Sequence, residues 1–287
     1  MRQGETASSW PKWALAWALL AALGAALVAC DRPDSHAVQP SPEPMNSALP
    51  SEAGGGPSLW QHVAEPVAHL RAQTKAEMAR GVDLAKFVRG DRRKRQICLT
   101  IDDGPHPGKT ERLLALLRAE NVKATFFVVG QMARKYPHLV RAEAAEGHEI
   151  GNHTFRHVNM TKVTPEALKR ELIETDGVLK AILGHGANLL RPPGGQYNAQ
   201  TVEVARSVGY TTVLWTDDPG DYDKRISAEL ILRRTIRDAS PGGIILLHDG
   251  PESTMAILPR LIRYLRAQGY TFVTCGQLMR DARPQTK

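Results

Sequence analysis

The chain has 287 residues, enough for one sizeable domain with a real core, and its 42% hydrophobic and 23% charged content is ordinary for a globular protein. A net charge of +7 is modest, and the basic residues gather in only one short cluster, Arg92-Arg93-Lys94-Arg95. No aromatic platform accompanies it, which excludes a nucleic-acid partner. The cluster reads as a solvated connector, with attraction to an anionic surface as the lesser alternative.

Arg2 and Lys12 precede an apolar run over 13–29 that ends in small residues. The run is short for a spanning helix, which needs about 20 apolar residues, and its layout predicts an export signal over residues 1–29. The exit Leu27-Val28-Ala29-Cys30 resembles the lipobox of bacterial lipoproteins, which implies cleavage before Cys30 and lipidation of its sulfur. Several acyl chains on one residue hold a membrane firmly, at about 0.8 kcal/mol per buried methylene. An ordinary signal peptide and an uncleaved anchor helix are the alternatives, and all three place the chain in the cell envelope outside the cytoplasm. Residues 30–57, with Pro40, Pro42, Pro44, Pro50, Gly54 to Gly56 and Pro57, read as a flexible linker. Over 58–95, Val63, Val67, Leu70, Met78, Val82 and Leu84 recur at loosely helical spacing and predict one or two docking helices.

From residue 96 to 280 strands and helices alternate. Strands are expected at 97–101, 124–129, 149–153, 188–192, 211–215, 243–248 and 271–274. Helices are expected at 110–119, 132–145, 164–182, 199–208, 227–237 and 255–267, and residues 281–287 form a tail. Such alternation predicts an α/β fold with a parallel sheet and right-handed crossovers, either a closed barrel or an open doubly wound sheet. No Gly-rich loop follows the first strand, which counts against dinucleotide binding. Cys98 and Cys275 fall on the first and last expected strands, neighbours in a closed barrel, and are expected as buried free thiols.

The polar residues of interest stand at strand ends, where α/β folds build their sites. Asp102 and Asp103 end the first strand, beside Gly104-Pro105. Two neighbouring side chains point to opposite faces within a strand, but a turn at its end lets both carboxylates reach one pocket. His153 and His157 follow the third strand, and this spacing places two imidazoles on one face of a helical turn, suited to a divalent metal. Asp103 is the natural third ligand, an oxygen donor that leaves positions open for water and substrate. Arg191, in Arg191-Pro192-Pro193-Gly194, can pair with Asp102, and His248 beside an acidic partner such as Asp221 can act as a general acid. The bland alternatives are an Asp-Gly turn, surface histidines and a structural strand-end histidine.

Thr100-Ile101-Asp102-Asp103-Gly104-Pro105, His153-x-x-x-His157, Arg191-Pro192-Pro193, Asp218-Pro219-Gly220-Asp221-Tyr222 and Leu246-Leu247-His248 together resemble the five ordered motifs of polysaccharide deacetylases. These are the NodB-homology enzymes of carbohydrate esterase family four. The resemblance implies a distorted (β/α) barrel of about seven parallel strands. It also implies a divalent metal on Asp103, His153 and His157, with zinc first and cobalt, manganese or nickel as alternatives. By the same resemblance Asp102 is the general base and His248 the general acid. Arg191 orients Asp102, Asp221 tunes His248, and Leu246 lines the pocket for the acetyl methyl. Three departures concern packing and the pocket: Ile101 replaces a usual Phe, Tyr222 a usual Trp, and Gly194 an often aromatic residue. At Gly194 only the backbone N–H can serve an oxyanion.

The function this implies is metal-dependent hydrolysis of N-acetyl groups on an N-acetylglucosamine polymer, peptidoglycan in first place, by an enzyme anchored through a lipid. A hydrolase of small acetylated amines and a non-catalytic carbohydrate-binding module of the same fold are the rivals.

Overall fold

The computed structural model describes residues 68–79 and 84–282; the expected signal segment, Cys30 and the linker lie outside the described residues. The elements run α1 (Ala68–Ala79), β1 (Lys86–Phe87), β2 (Gln96–Asp102), α2 (Thr110–Ala119), β3 (Thr125–Val128), α3 (Gly130–Lys135), α4 (Pro137–Ala145) and β4 (Glu149–Asn152). They continue with α5 (Pro165–Leu183), β5 (Leu189–Leu190), α6 (Ala199–Ser207), β6 (Thr211–Val213), α7 (Ala228–Asp238), β7 (Gly243–His248), α8 (Glu252–Ala267), β8 (Thr271–Phe272) and α9 (Cys275–Ala282). Several helix starts are written into the local sequence. Thr164, Asn198 and Ser227 each cap a helix by accepting a backbone N–H from its first turn.

All the strand pairings are parallel, in the order β1-β6-β5-β4-β3-β2-β7, with β8 joined to the start of β2. Beyond β6 the chain reaches β7: Thr216 and Asp217 donate N–H bonds to the Ile244 carbonyl, and Leu246 donates one to the Asp217 carbonyl. The sheet thus curls back on itself as a distorted (β/α) barrel, not an open doubly wound sheet. Alternation along β2 sorts its side chains. Ile97, Leu99 and Ile101 join the layer under the outer helices, with Ile245, Leu247, Leu113, Leu261 and Ile262. Cys98 faces the barrel interior with Phe127, Leu214, Trp215, Ile244 and Leu246. Each fully buried Leu, Ile or Phe in these clusters contributes about 1.5–3 kcal/mol.

The differences from expectation have local causes. The single helix expected over 132–145 is two, α3 and α4, because Tyr136 leaves helical geometry (φ −128°, ψ 58°) ahead of Pro137. Strands β5 and β6 are only two and three residues long, since the chain peels away beyond each into a loop at the site. β1, a two-residue edge strand on β6, is too short to show a period. Cys275 opens α9 and does not lie on a strand, and α9 itself was not expected.

Candidate metal centre and catalytic site

The C-terminal end of β2 delivers the two carboxylates. Asp102 is the last residue of the strand and stands level with His248 of β7. Asp103 follows in the left-handed region (φ 75°), so the chain turns and brings the second carboxyl to the same end of the barrel. Non-glycine residues adopt this conformation at a cost, and they gather at functional sites. Gly104 is required next, because a Cβ there would lie 2.6 Å from Asp249 Oδ2. That oxygen accepts the Thr110 hydroxyl at 2.5 Å and the His106 N–H at 3.2 Å, which pins the turn.

His153 and His157 follow β4, but not on a helical turn as expected. Residues 153–159 form an irregular loop in which Thr154 (φ 61°) and His157 (φ 58°) are left-handed. Asn152 Oδ1 accepts the Thr154 N–H at 2.7 Å, and buried Glu171 of α5 accepts the Arg156 N–H at 2.8 Å. The loop therefore brings the rings together, 5.0 Å between centroids, by means the i, i+4 spacing does not reveal.

Asp103, His153 and His157 are the group of potential metal ligands among the described residues whose donor atoms come within 4.8 Å of one another. Asp103 Oδ1 lies 3.4 Å from His153 Nε2 and 3.1 Å from His157 Nε2. His153 donates its Nδ1–H to the Arg191 carbonyl at 2.8 Å, which turns Nε2 toward the Asp103 carboxylate. Asp103 Oδ1 is buried without a hydrogen-bond partner, and a cation held between it and the two imidazoles answers it. A divalent metal fits this donor set. Burial pushes the Asp103 carboxyl up, but His153 and His157 together outweigh it and hold the group well below the usual carboxylate range. His157 is correspondingly raised by Asp103.

Arg191 follows β5 and is fully buried, its guanidinium 4.2 Å from the Phe127 ring centroid and 5.5 Å from that of Trp215. Its Nη1 donates to Asp102 Oδ1 at 2.9 Å and to Thr100 Oγ1 at 2.5 Å, and Nη2 donates to the Leu214 carbonyl at 3.2 Å. Thr100 in turn donates to the Ile245 carbonyl at 2.7 Å. One oxygen of Asp102 is thus immobilised, while Oδ2 lies 3.8 Å from His153 Nε2.

The second acid–base pair sits on the neighbouring strand end. His248 donates Nδ1–H to Asp221 Oδ1 at 2.7 Å, and its backbone N–H donates to Asp221 Oδ2 at 2.8 Å. The Thr254 hydroxyl of α8 also donates to Asp221 Oδ2, and Ser253 Oγ donates to the Asp221 carbonyl at 3.1 Å. Burial opposes charge on His248, but Asp221, with help from Asp102 and Asp103, raises its pKa to about 9. Tyr222 packs edge-on against the His248 ring at 5.1 Å and is half exposed. Asp218 is buried beside this pair, and desolvation raises its carboxyl to about 6 against an opposing Gly220 N–H.

Gly194 is exposed in the 193–195 turn with φ 59°, and Leu246 is buried in the barrel interior. Gly195 (φ 66°) lets this turn close on Trp215, whose ring would lie 2.8 Å from a Cβ there. Apart from Leu246, inside β7, the expected site residues among those described stand on strand ends or on loops that follow them. The supporting residues Thr100, Asp249, Thr254 and Glu171 carry no local signal, because their partners lie far away in sequence; Thr254 and Asp221 are 33 residues apart.

Comparison with known proteins agrees with this architecture. Residues 89–213 match the polysaccharide deacetylase family. The chain is 38% identical over 189 residues to a peptidoglycan-N-acetylglucosamine deacetylase of Bacillus cereus, covering 64% of this chain and 88% of that one. The crystal structure of the Bc1960 peptidoglycan N-acetylglucosamine deacetylase superposes with a TM-score of 0.66 at 33% identity, over 68% of this chain and 92% of the other. A carbohydrate esterase family four pseudoenzyme from Bacillus anthracis superposes equally well, with a TM-score of 0.66 at 28% identity, over 71% of this chain and 72% of its own. The chain belongs to the polysaccharide deacetylases of carbohydrate esterase family four. It is a hydrolase of the class that acts on carbon–nitrogen bonds.

Proposed function

We propose that this protein hydrolyses the N-acetyl group of N-acetylglucosamine residues in peptidoglycan, with a divalent metal, zinc in first place, held by Asp103, His153 and His157. The reading rests above all on Asp102: Arg191 ties one carboxylate oxygen at 2.9 Å, and the other stays close to the ligand set, 3.8 Å from His153 Nε2. The peptidoglycan deacetylases among its relatives support the choice of polymer. A metal bound there supplies Lewis acidity, which polarises an amide carbonyl and makes a water easier to deprotonate.

Asp102 takes the proton of the attacking water, and Arg191 keeps that carboxylate aimed. The Gly194 N–H serves the developing oxyanion, a donor type worth about 3 kcal/mol. His248 gives the Nε2 proton to the amine nitrogen as the C–N bond breaks, so acetate and a free amino sugar leave. Asp221, bonded to Nδ1, keeps the ring in the tautomer that can do this. Leu246 packs near the acetyl methyl, and Tyr222 walls the groove beside it. Cys30, if cleaved and acylated, tethers the domain to a membrane within reach of the wall.

Acetate release from peptidoglycan fragments, from N-acetylglucosamine oligomers and from an acetylated polyamine tests the assignment. Turnover of the glycans, lost to a chelator and restored by zinc, is the expected result. Glycan turnover that persists after complete metal removal, or turnover of the polyamine alone, overturns it. Acyl labelling in an expressing bacterium, compared between the native chain and Cys30→Ala, checks the anchor.

A further inference from the structure

At the floor of the barrel, away from the site, Cys98 of β2 meets Cys275, the first residue of α9, with the two Sγ atoms 3.3 Å apart. Both are fully buried, and both are free thiols in the structure. They are the two cysteines that follow Cys30, and they lie 177 residues apart in the chain. Their backbones are held side by side without help from sulfur. β8 pairs with β2 through Phe272 and Ile97, Val273 donates N–H to the Ile97 carbonyl at 3.0 Å, and Cys275 donates N–H to Thr125 Oγ1 at 2.9 Å. A sulfur–sulfur bond therefore needs the sulfurs to approach by only about an ångström, which side-chain rotation provides.

We propose that Cys98 and Cys275 form an intramolecular disulfide that staples β8 and α9 to β2, the strand whose other end carries Asp102. The oxidant is a disulfide, either a small molecule or a protein. One cysteine thiolate attacks it, forms a mixed disulfide and releases one thiol. The second cysteine attacks the mixed disulfide, closes the Cys98–Cys275 bond and releases the other thiol. Two electrons and two protons pass to the oxidant, whose S–S bond becomes two thiols. Burial raises the Cys98 thiol well above its ordinary range, so Cys98 offers little thiolate once folded. The bond accordingly forms during folding, before α9 seals the floor. Closing so long a loop restricts the unfolded chain strongly.

The full chain, reduced and denatured, is refolded with glutathione disulfide, alkylated in denaturant and digested with trypsin. The expected product joins residues 96–109 to residues 267–280 in one species that reduction separates. Reductant should lower Tm by roughly 5–10 °C in the native sequence and leave Cys98→Ala unmoved. Recovery of the two peptides separately alkylated from folded protein overturns the proposal, as does an equal response of native chain and variant to reductant. Neither readout involves turnover, so failure here leaves the deacetylase assignment standing, and the converse holds.

Discussion

At the floor of the barrel one set of polar groups closes on Glu149. Thr125 and the Gly276 N–H both donate to Glu149 Oε2, at 2.9 and 2.8 Å, and the Cys275 N–H donates to Thr125, so the start of α9 is capped. At the opposite end Asp103, Thr154 and His157 take left-handed backbone, Arg191 is fully buried, and Asp103 Oδ1 has no hydrogen-bond partner. The same strands β2, β3 and β4 supply both ends. Three of the four left-handed non-glycine residues among those described, and the unanswered Asp103 oxygen, stand at the end that does chemistry, which is where stored strain serves a function.

Substitutions at the two ends should separate rate from stability. The largest effect is expected from Asp102→Asn, which keeps an acceptor for Arg191 but cannot take a proton. Its kcat on N-acetylglucosamine oligomers should fall about 10³-fold while zinc still binds stoichiometrically. A rate near that of the native enzyme would remove Asp102 from the base role.

Asp221→Asn should act next, at roughly 10²-fold, and with a change in pH profile. His248 is raised to about 9, so it is protonated at neutral pH, and a general acid loses activity as pH rises through that value. Without the Asp221 charge the alkaline limb of kcat should move to lower pH. The linked stability has the same sign: the charged His248–Asp221 pair contributes fully below the ordinary histidine range and is lost as pH rises through about 9. An alkaline limb that stays in place would exclude His248 as the acid.

Thr254→Val removes one donor from Asp221 Oδ2, so a smaller loss of about tenfold and a smaller shift of the same limb are expected, with Thr254→Ser restoring both. A merely structural threonine would change Tm and leave the pH profile alone. The smallest change belongs to the floor. Glu149→Gln weakens the cap of α9 and should cost about 1 kcal/mol, seen as a Tm lower by roughly 2–4 °C, with kcat unaltered.

The motif residues were legible because strand ends are legible. An apolar run such as 243–247 that stops at His248 announces both the strand and the residue presented at its end. The pairing of Arg191 with Asp102 was readable as charge complementarity between two strand ends. The loop carrying His153 and His157 is not the helical turn its i, i+4 spacing predicts, because that spacing is also met by an irregular turn with two left-handed residues. The brace residues escaped notice for a different reason: Thr100, Asp249 and Thr254 act through partners brought close only by the sheet and by α8.

Hydrophobic periodicity, turn residues and the chemistry of a few side chains were enough to specify alternating strands and helices, a parallel sheet and the groups at its carboxyl ends, since all of these depend on neighbours within a few residues. Curling of the sheet through Thr216 and Asp217, the facing of Asp103 with two imidazoles, the clamp of Thr254 on Asp221 and the meeting of Cys98 with Cys275 were decided by tertiary structure. Each of these contacts joins separate segments of the chain, and only the packing of the whole barrel brings those segments together.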